Sequence, residues 1–399
     1  MDATLPLRNL RVLDFTRVLV GPFATMILGD LGAEVIKVEP PEGDETRTWP
    51  PTLPRGGSGY FMSLNRNKKS ITINLKSPQG QEIVQALARQ VDIVVENFTP
   101  GMAAKMGIDY ETLHRLNAGL IYCSISGFGQ YGPYRAKKAY DPIIQGMTGL
   151  MSITGEKDRP PVKVGVPITD LITGLYAVIA IQAAHCHRSA TGQGQHIDLA
   201  LYDATLSTLT IMAMEYFATG KSPGRWGLDH IHRVPARAFV ARDGKWVQVL
   251  ATNDTMYPKF CRILGLESLA GDPRYDTNAK RLRQRDTLMP FFEARMRERD
   301  SEEWLRLFEE AGLPCGPIRD LEEAFADPQV QAREMVFHME HATEGRVVQL
   351  GFPFKFSRTP AQARLAPPLP GEHTEAILKE LLQYDEAEIG RLRQLHVLG

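Results

Sequence analysis

The amino-acid sequence predicts an α/β protein built on a doubly wound parallel sheet, with a second, smaller α+β domain. Two observations carry this expectation. Strand-like apolar runs alternate with helix-like segments four times over residues 1–126, as in repeated β-α-β units. Beyond residue 236 the pattern changes to a hairpin followed by charged amphipathic helices.

Taken in order, Arg11-Val12-Leu13-Asp14-Phe15 reads as a short buried strand. Gly21-Pro22 then opens a helix, with proline where its missing N–H costs nothing. Glu34–Glu39 is the next strand. This opening imitates a dinucleotide-binding unit, but Gly21 alone stands where Gly-x-Gly-x-x-Gly is needed, so no nicotinamide or flavin cofactor is expected. The strand Ile71–Leu75, a helix from Ser77 to Arg89, the strand Asp92–Asn97, two short helices and the strand Leu120–Ser126 follow. A Rossmann-like sheet of this kind takes ligands beyond the carboxyl ends of its strands, where Asn97-Phe98 and Ser126-Gly127-Phe128 fall.

Leu171–Ala184 is almost wholly apolar and reads as a core helix, followed by the strand Gln195–Leu201 and one long helix from Asp203 to about Thr219. A hairpin turns at Asp243-Gly244. Amphipathic helices follow at Lys280–Arg299, with a break near Pro290, at Glu302–Ala311 and at Leu321–Phe325. Two closing helices span Glu372–Leu398. The expected organisation is a large domain over 1–220, a linker over 221–235, a small domain over 236–336, and a return linker with closing helices over 337–399.

With 399 residues, 43% of them hydrophobic, the chain has material for two or three packed domains. A net charge of −1 gives no reason to expect nucleic acid or an anionic membrane as partner. The longest apolar run is interrupted by Thr173, Gly174 and Gln182 and falls short of the roughly 20 residues that span a bilayer. Cys123, Cys186, Cys261 and Cys315 are widely spaced, as reduced thiols are, and Met1-Asp2-Ala3-Thr4 begins no basic-then-apolar leader, so the expected compartment is the cytoplasm. His185-Cys186-His187 point in different directions on a helix, so no metal is expected.

Asp170, at the head of the apolar run, admits two readings. Thr169 or Asp170 stands where a helix N-cap belongs. Alternatively, Asp170 is a carboxylate at the edge of a dry core, kept ionised by the positive end of a helix dipole and able to attack an activated carbonyl. Spacing alone leaves both open. Two other segments invite a binding role. Residues 40–59 form a long Pro- and Gly-rich loop carrying Arg47 and Trp49, in which Arg47 is either a ligand for an anion or paired with Asp44 or Glu45. Asn65-Arg66-Asn67-Lys68-Lys69-Ser70 is either a solvated basic turn or a phosphate clamp.

Leu13-Asp14-Phe15-Thr16-Arg17-Val18, Leu31–Glu39, Asn65–Ser70, Val95-Glu96-Asn97-Phe98, Ser126-Gly127-Phe128-Gly129 and Gly316-Pro317 together resemble the class III CoA-transferases, over essentially the whole chain. That family includes formyl-CoA transferase, carnitine CoA-transferase and the α-methylacyl-CoA racemases. The resemblance implies that Asp170, followed by Gly174, is the nucleophile, and that coenzyme A, as acyl-CoA substrate and with no tightly bound cofactor, meets Arg17, Val18, Ile73, Lys76, Asn97, Phe98, Lys105, Met106 and Lys138. An adenosine-contacting arginine of formyl-CoA transferase is Pro40 here, and that relative's mobile glycine-rich loop has no counterpart near Gly227-Leu228-Asp229-His230. Racemases of the family place a histidine where this chain has Tyr140, and tyrosine, with an ordinary pKa of about 10, is a poor base, so the resemblance favours transfer. A racemase and a non-catalytic CoA-binding subunit are the alternatives.

Asp44–Trp49, Gly149–Gly155, Thr169–Ala177 and Arg225-Trp226-Gly227 are most similar to the members that act on succinyl-CoA and dicarboxylates. A second carboxylate calls for a cation. Arg47, Arg66 and His232 are the candidates, with Tyr140 at the substrate. Family members are intertwined homodimers, which the resemblance implies here too.

Overall fold

Strands β1 (Arg11–Asp14), β2 (Glu34–Glu39), β3 (Lys68–Thr72), β4 (Ile93–Glu96), β5 (Ile121–Ser126) and β6 (His196–Ala200) form one parallel sheet. The computed structural model describes residues 5–399; the first four, on which the expectation of a leaderless start rests, lie outside the described residues. Strand order is β3-β2-β1-β4-β5-β6, so the winding reverses between β1 and β4. At such a reversal the connections leave in opposite directions and open a crevice at the carboxyl ends of the two strands.

Side-chain alternation explains why helices cover both faces. Leu13, Ile36 and Val94 point into one core with residues of the helices Pro78–Ala88, Thr374–Leu382 and Glu386–Gln394. Val12, Val35, Ile93 and Val95 point into the other, against the helices Val20–Asp30 and Ile168–Thr191. Burial of each such side chain contributes about 1.5–3 kcal/mol, so the strands hold only where both faces are covered.

The chain divides into two units, one of residues up to 150, 163–220 and 331–399, the other of 151–162 and 221–330. The first also holds an antiparallel hairpin of β10 (Val336–His341) and β11 (Gly345–Leu350), of which the sequence signalled only the exit. The second is an antiparallel sheet of β7 (Ala236–Val240), β8 (Trp246–Leu250) and β9 (Cys315–Pro317). It lies over an aromatic core containing Phe260, Phe292, Trp304 and Phe308.

Several expectations need correction. The apolar run is a helix of 24 residues, and only 33% of its most apolar window is buried. Its inner face is mostly small (Thr173, Gly174, Ala177, Ala184), with Ile181 the one large side chain buried there, whereas Leu175, Tyr176 and Ile179 face outward. The long helix after β6 is two, Leu201–Thr208 and Thr210–Thr219, broken where Thr210 takes a φ of 33°. The break expected at Pro290 falls at Gln284 instead. Pro290 is the sixth residue of the helix Arg285–Met296, where it forgoes the bond an N–H would give the Asp286 carbonyl without ending the helix. Strand β3 begins at Lys68, not Ile71, because Lys68 and Lys69 are ladder residues opposite Val35 and Ile36.

Candidate active site

The crevice is built by the loops that follow β1 and β4. Asn97 locks them together: its Oδ1 accepts the Arg17 N–H at 2.9 Å and its Nδ2 donates to the Arg17 carbonyl at 2.8 Å. Between them Val18 is held at φ 65°, a left-handed conformation that a β-branched residue adopts only under constraint, at a cost of about 1–3 kcal/mol. A cavity of about 370 Å³ opens here, lined by Arg17, Val18, Asn97, Phe98, Lys138, Tyr140 and Asp170 among others. A second of about 200 Å³ is lined by Arg17, Phe98, Ile73, Lys76 and Met106, so Arg17 and Phe98 belong to both. The Arg17 guanidinium lies 5.5 Å from the centre of the Phe98 ring. Of the residues expected at coenzyme A, Lys105 alone lines neither; it is exposed at the end of the helix Met102–Lys105, beside Met106.

Asp170 occupies the first turn of the Ile168–Thr191 helix, but neither it nor Thr169 caps that helix through its side chain. The task falls to Asp141, whose Oδ1 accepts the Thr169 N–H at 2.9 Å and the Thr169 hydroxyl at 2.8 Å, while its Oδ2 accepts Gln145 Nε2 at 2.7 Å. Among the described residues no hydrogen bond or ion pair engages the Asp170 carboxylate. It is therefore free to face a ligand. The helix reaches the crevice because Gly174 packs on the Val20–Asp30 helix: a Cβ there would stand 2.9 Å from the Val20 carbonyl oxygen.

The expectation that the helix dipole keeps Asp170 ionised does not hold. Burial, and secondarily the Asp141 charge, push its pKa up to about 7. Tyr60 shares this environment. Burial first, then the Asp170 and Asp44 charges, push its hydroxyl up to about 12, and its ring packs edge-on against Trp49 at 5.3 Å.

Arg47 and Arg66 are otherwise engaged. Arg47 donates to both oxygens of Glu39 at 2.8 and 2.7 Å and to the Pro368 carbonyl, with its guanidinium 3.8 Å from the centre of the Phe61 ring. Arg66 is buried and makes a two-pronged contact with Asp30 at 2.9 and 2.7 Å. Lys68 meets Asp14 at 3.2 Å, and Lys69 pairs with Glu34. The 65–70 segment is thus a set of structural ion pairs, neither a solvated turn nor a phosphate clamp. His232 belongs to the second unit. The cations that line the Asp170 cavity are Arg17, Lys137 and Lys138, with Glu45 as a further acid. Sequence reading missed Glu45, Tyr60, Lys137 and the capping role of Asp141. Asp141-Pro142 marks the start of its own helix, Asp141–Met147, and no local signal shows that Asp141 reaches Thr169.

The profile of CoA-transferase family III matches residues 7–374. Succinyl-CoA:glutarate CoA-transferase of Mus musculus is 45% identical over 98% of this chain and 90% of its own length. Succinate–glutarate CoA-transferase of Agrobacterium fabrum is 42% identical over 94% and 96%. A crystal structure of a CAIB/BAIF family protein from Brucella suis superposes with a TM-score of 0.84 at 42% identity, covering 94% of this chain and 99% of that one.

Proposed function

The chain belongs to CoA-transferase family III, and on that premise we propose that its Asp170 carries CoA from succinyl-CoA to a dicarboxylic acid. The transfer activity itself follows from family and relatives. The observation that carries the catalytic assignment is the Asp170 carboxylate, unengaged among the described residues, in the wall of a cavity lined by residues expected at coenzyme A.

In the proposed mechanism the Asp170 carboxylate attacks the thioester carbonyl, the C–S bond breaks, and a mixed anhydride and CoA thiolate form. The thiolate attacks the Asp170 carbonyl, giving an aspartyl-CoA thioester and releasing succinate. The acceptor carboxylate attacks that thioester, forming a second anhydride and freeing the thiolate again. Attack on the acceptor's carbonyl yields the new acyl-CoA and restores Asp170. One thioester replaces another, so the exchange is near isoenergetic. Arg17, Phe98, Ile73, Lys76 and Met106 hold the nucleotide and its phosphates, and Lys137 and Lys138 supply positive charge toward the acyl end. Tyr140, exposed on the cavity wall, contacts the acyl group. The first unit is the Rossmann-like, CoA-binding domain of an intertwined, cytoplasmic homodimer.

Incubating the protein with succinyl-CoA and trapping with hydroxylamine or borohydride is expected to modify Asp170. Asp170→Ala is expected to abolish exchange while retaining the far-ultraviolet dichroism of the parent. A label on any other residue overturns the assignment. Succinate, glutarate, hydroxymethylglutarate, malate, itaconate, mesaconate and citramalate, each tested as acceptor, identify the second substrate.

A further inference from the structure

Lys37 lies on β2, between β3 and β1 of the parallel sheet, and is fully buried. A buried ammonium is a poor way to gain stability, since its desolvation costs several kcal/mol and an apolar side chain of similar volume does as well or better. What distinguishes Lys37 is the pair of segments it joins. Its Nζ donates to the Thr16 carbonyl at 2.8 Å and meets Asp44 Oδ2 at 2.8 Å. Thr16 immediately precedes Arg17 and Val18, which wall the Asp170 cavity from the coenzyme side. Asp44 caps the 3-10 turn Glu45–Thr48, its Oδ1 accepting the Thr46 N–H at 3.0 Å and the Thr46 hydroxyl at 2.8 Å. That turn carries Glu45 to the same cavity and leads into Trp49, which packs on Tyr60.

Each segment is also anchored separately. Thr16 bonds to Asp14 through its N–H at 2.9 Å and its hydroxyl, while Lys68 takes the other Asp14 oxygen. The Asp44 N–H donates to Glu39 at 2.8 Å. Lys37 connects the two anchored segments to one rigid strand.

We propose that Lys37 is a positioning residue for acyl transfer: it fixes the Thr16–Val18 segment relative to the Asp44–Trp49 segment, so that the thioester carbonyl is presented to Asp170. This rests on the reading of Asp170 as nucleophile. Removing the tie leaves the nucleotide cavity intact and loosens the alignment of the reacting carbon, where an error of about 1 Å costs on the order of a hundredfold in rate.

The test uses the full-length protein, with rates expressed per folded chain from circular dichroism. Lys37→Met keeps the length and removes the charge. Its kcat for succinyl-CoA-dependent transfer is expected to fall about 30- to 100-fold, while the Kd for free CoA, by calorimetry, weakens less than about threefold. A residue that only supports the fold would lower the folded fraction without splitting rate from CoA affinity. Should Lys37→Met not fold, Asp44→Asn decides: its Oδ1 still accepts from Thr46, but an amide faces the ammonium, and the same split is expected. Wild-type kcat per folded chain in the variant that folds, or parallel losses in kcat and CoA affinity, would overturn the proposal. If the wild-type protein cannot be labelled at Asp170, the site reading itself fails and this inference goes with it.

Discussion

At the scale of single residues, the decisive quantity is the charge on Asp170. A nucleophilic carboxylate must be ionised, and burial has pushed this one up to about 7. Transfer is therefore expected to rise with pH through about 7 and level off above it, as an initial-rate profile from pH 5 to 9 would record. Stability runs the opposite way. The folded-state pKa is above the ordinary value of 3.8, so the stabilising contribution of the protonated form is complete below that value and lost as pH rises through about 7. Asp170→Asn removes a charge the fold disfavours. It is expected to stabilise the protein by about 1–3 kcal/mol at pH 8 and by little at pH 4, measured by urea unfolding. Equal stability of variant and parent at both pH values would show that the carboxylate is not desolvated.

Arg66 makes the contrasting case. Removing one partner of a buried ion pair strands the other, so Arg66→Met is expected to cost about 3–5 kcal/mol by leaving Asp30 unpaired. The acceptor KM of the folded fraction should stay at the parent value. A selective rise in that KM without loss of stability would return Arg66 to the substrate. Sequence reading failed at Arg47 and Arg66 for one reason. Their partners are distant in the chain or across a turn: Asp30 lies 36 residues before Arg66, and Arg47 reaches Pro368 as well as Glu39. A run of cations shows that charge is present, not which acids the fold brings to it. The crevice itself was legible because a parallel sheet opens one beyond its strand ends, and Asn97, Phe98, Ser126 and Gly127, read there from the sequence, line the Asp170 cavity.

At the scale of elements, the helix that bears Asp170 is capped from outside by Asp141, an arrangement that separates the two roles the sequence left competing for one carboxylate. Asp141 fixes the helix start through Thr169 and raises the Asp170 pKa by its charge. Asp141→Asn keeps an oxygen for Thr169 and removes the like charge. The acidic limb of the pH–rate profile is expected to move down by roughly 0.5–1 pH unit, and an unmoved limb would show that Asp141 acts on the helix alone. Alternation and turn chemistry made the sheet and the closing helices readable. The presence of the Ile168–Thr191 helix was readable too, but not its extent, since the apolar run marks only Leu171–Ala184, nor which side faces solvent, because apolar residues lie all round it.

At the scale of the whole molecule, that apolar outer face is the observation to explain. Leu175 is 48% exposed and Ile179 61%, and on the Thr210–Thr219 helix Ile211 is 65%, Met214 62% and Phe217 71% exposed. Exposed apolar surface on this scale marks an interface in soluble proteins. Intertwined chains, as proposed from the family, would cover it with a second copy. The protein is then expected to run at twice the chain mass in light scattering at micromolar concentration. Ile179→Glu combined with Phe217→Glu should place two charges on surface that must be dry in the dimer, leaving no soluble dimer and no transfer activity. A parent that is monomeric and active would instead assign these faces to another partner. A dimeric, active double variant would place the contact between copies elsewhere on the chain.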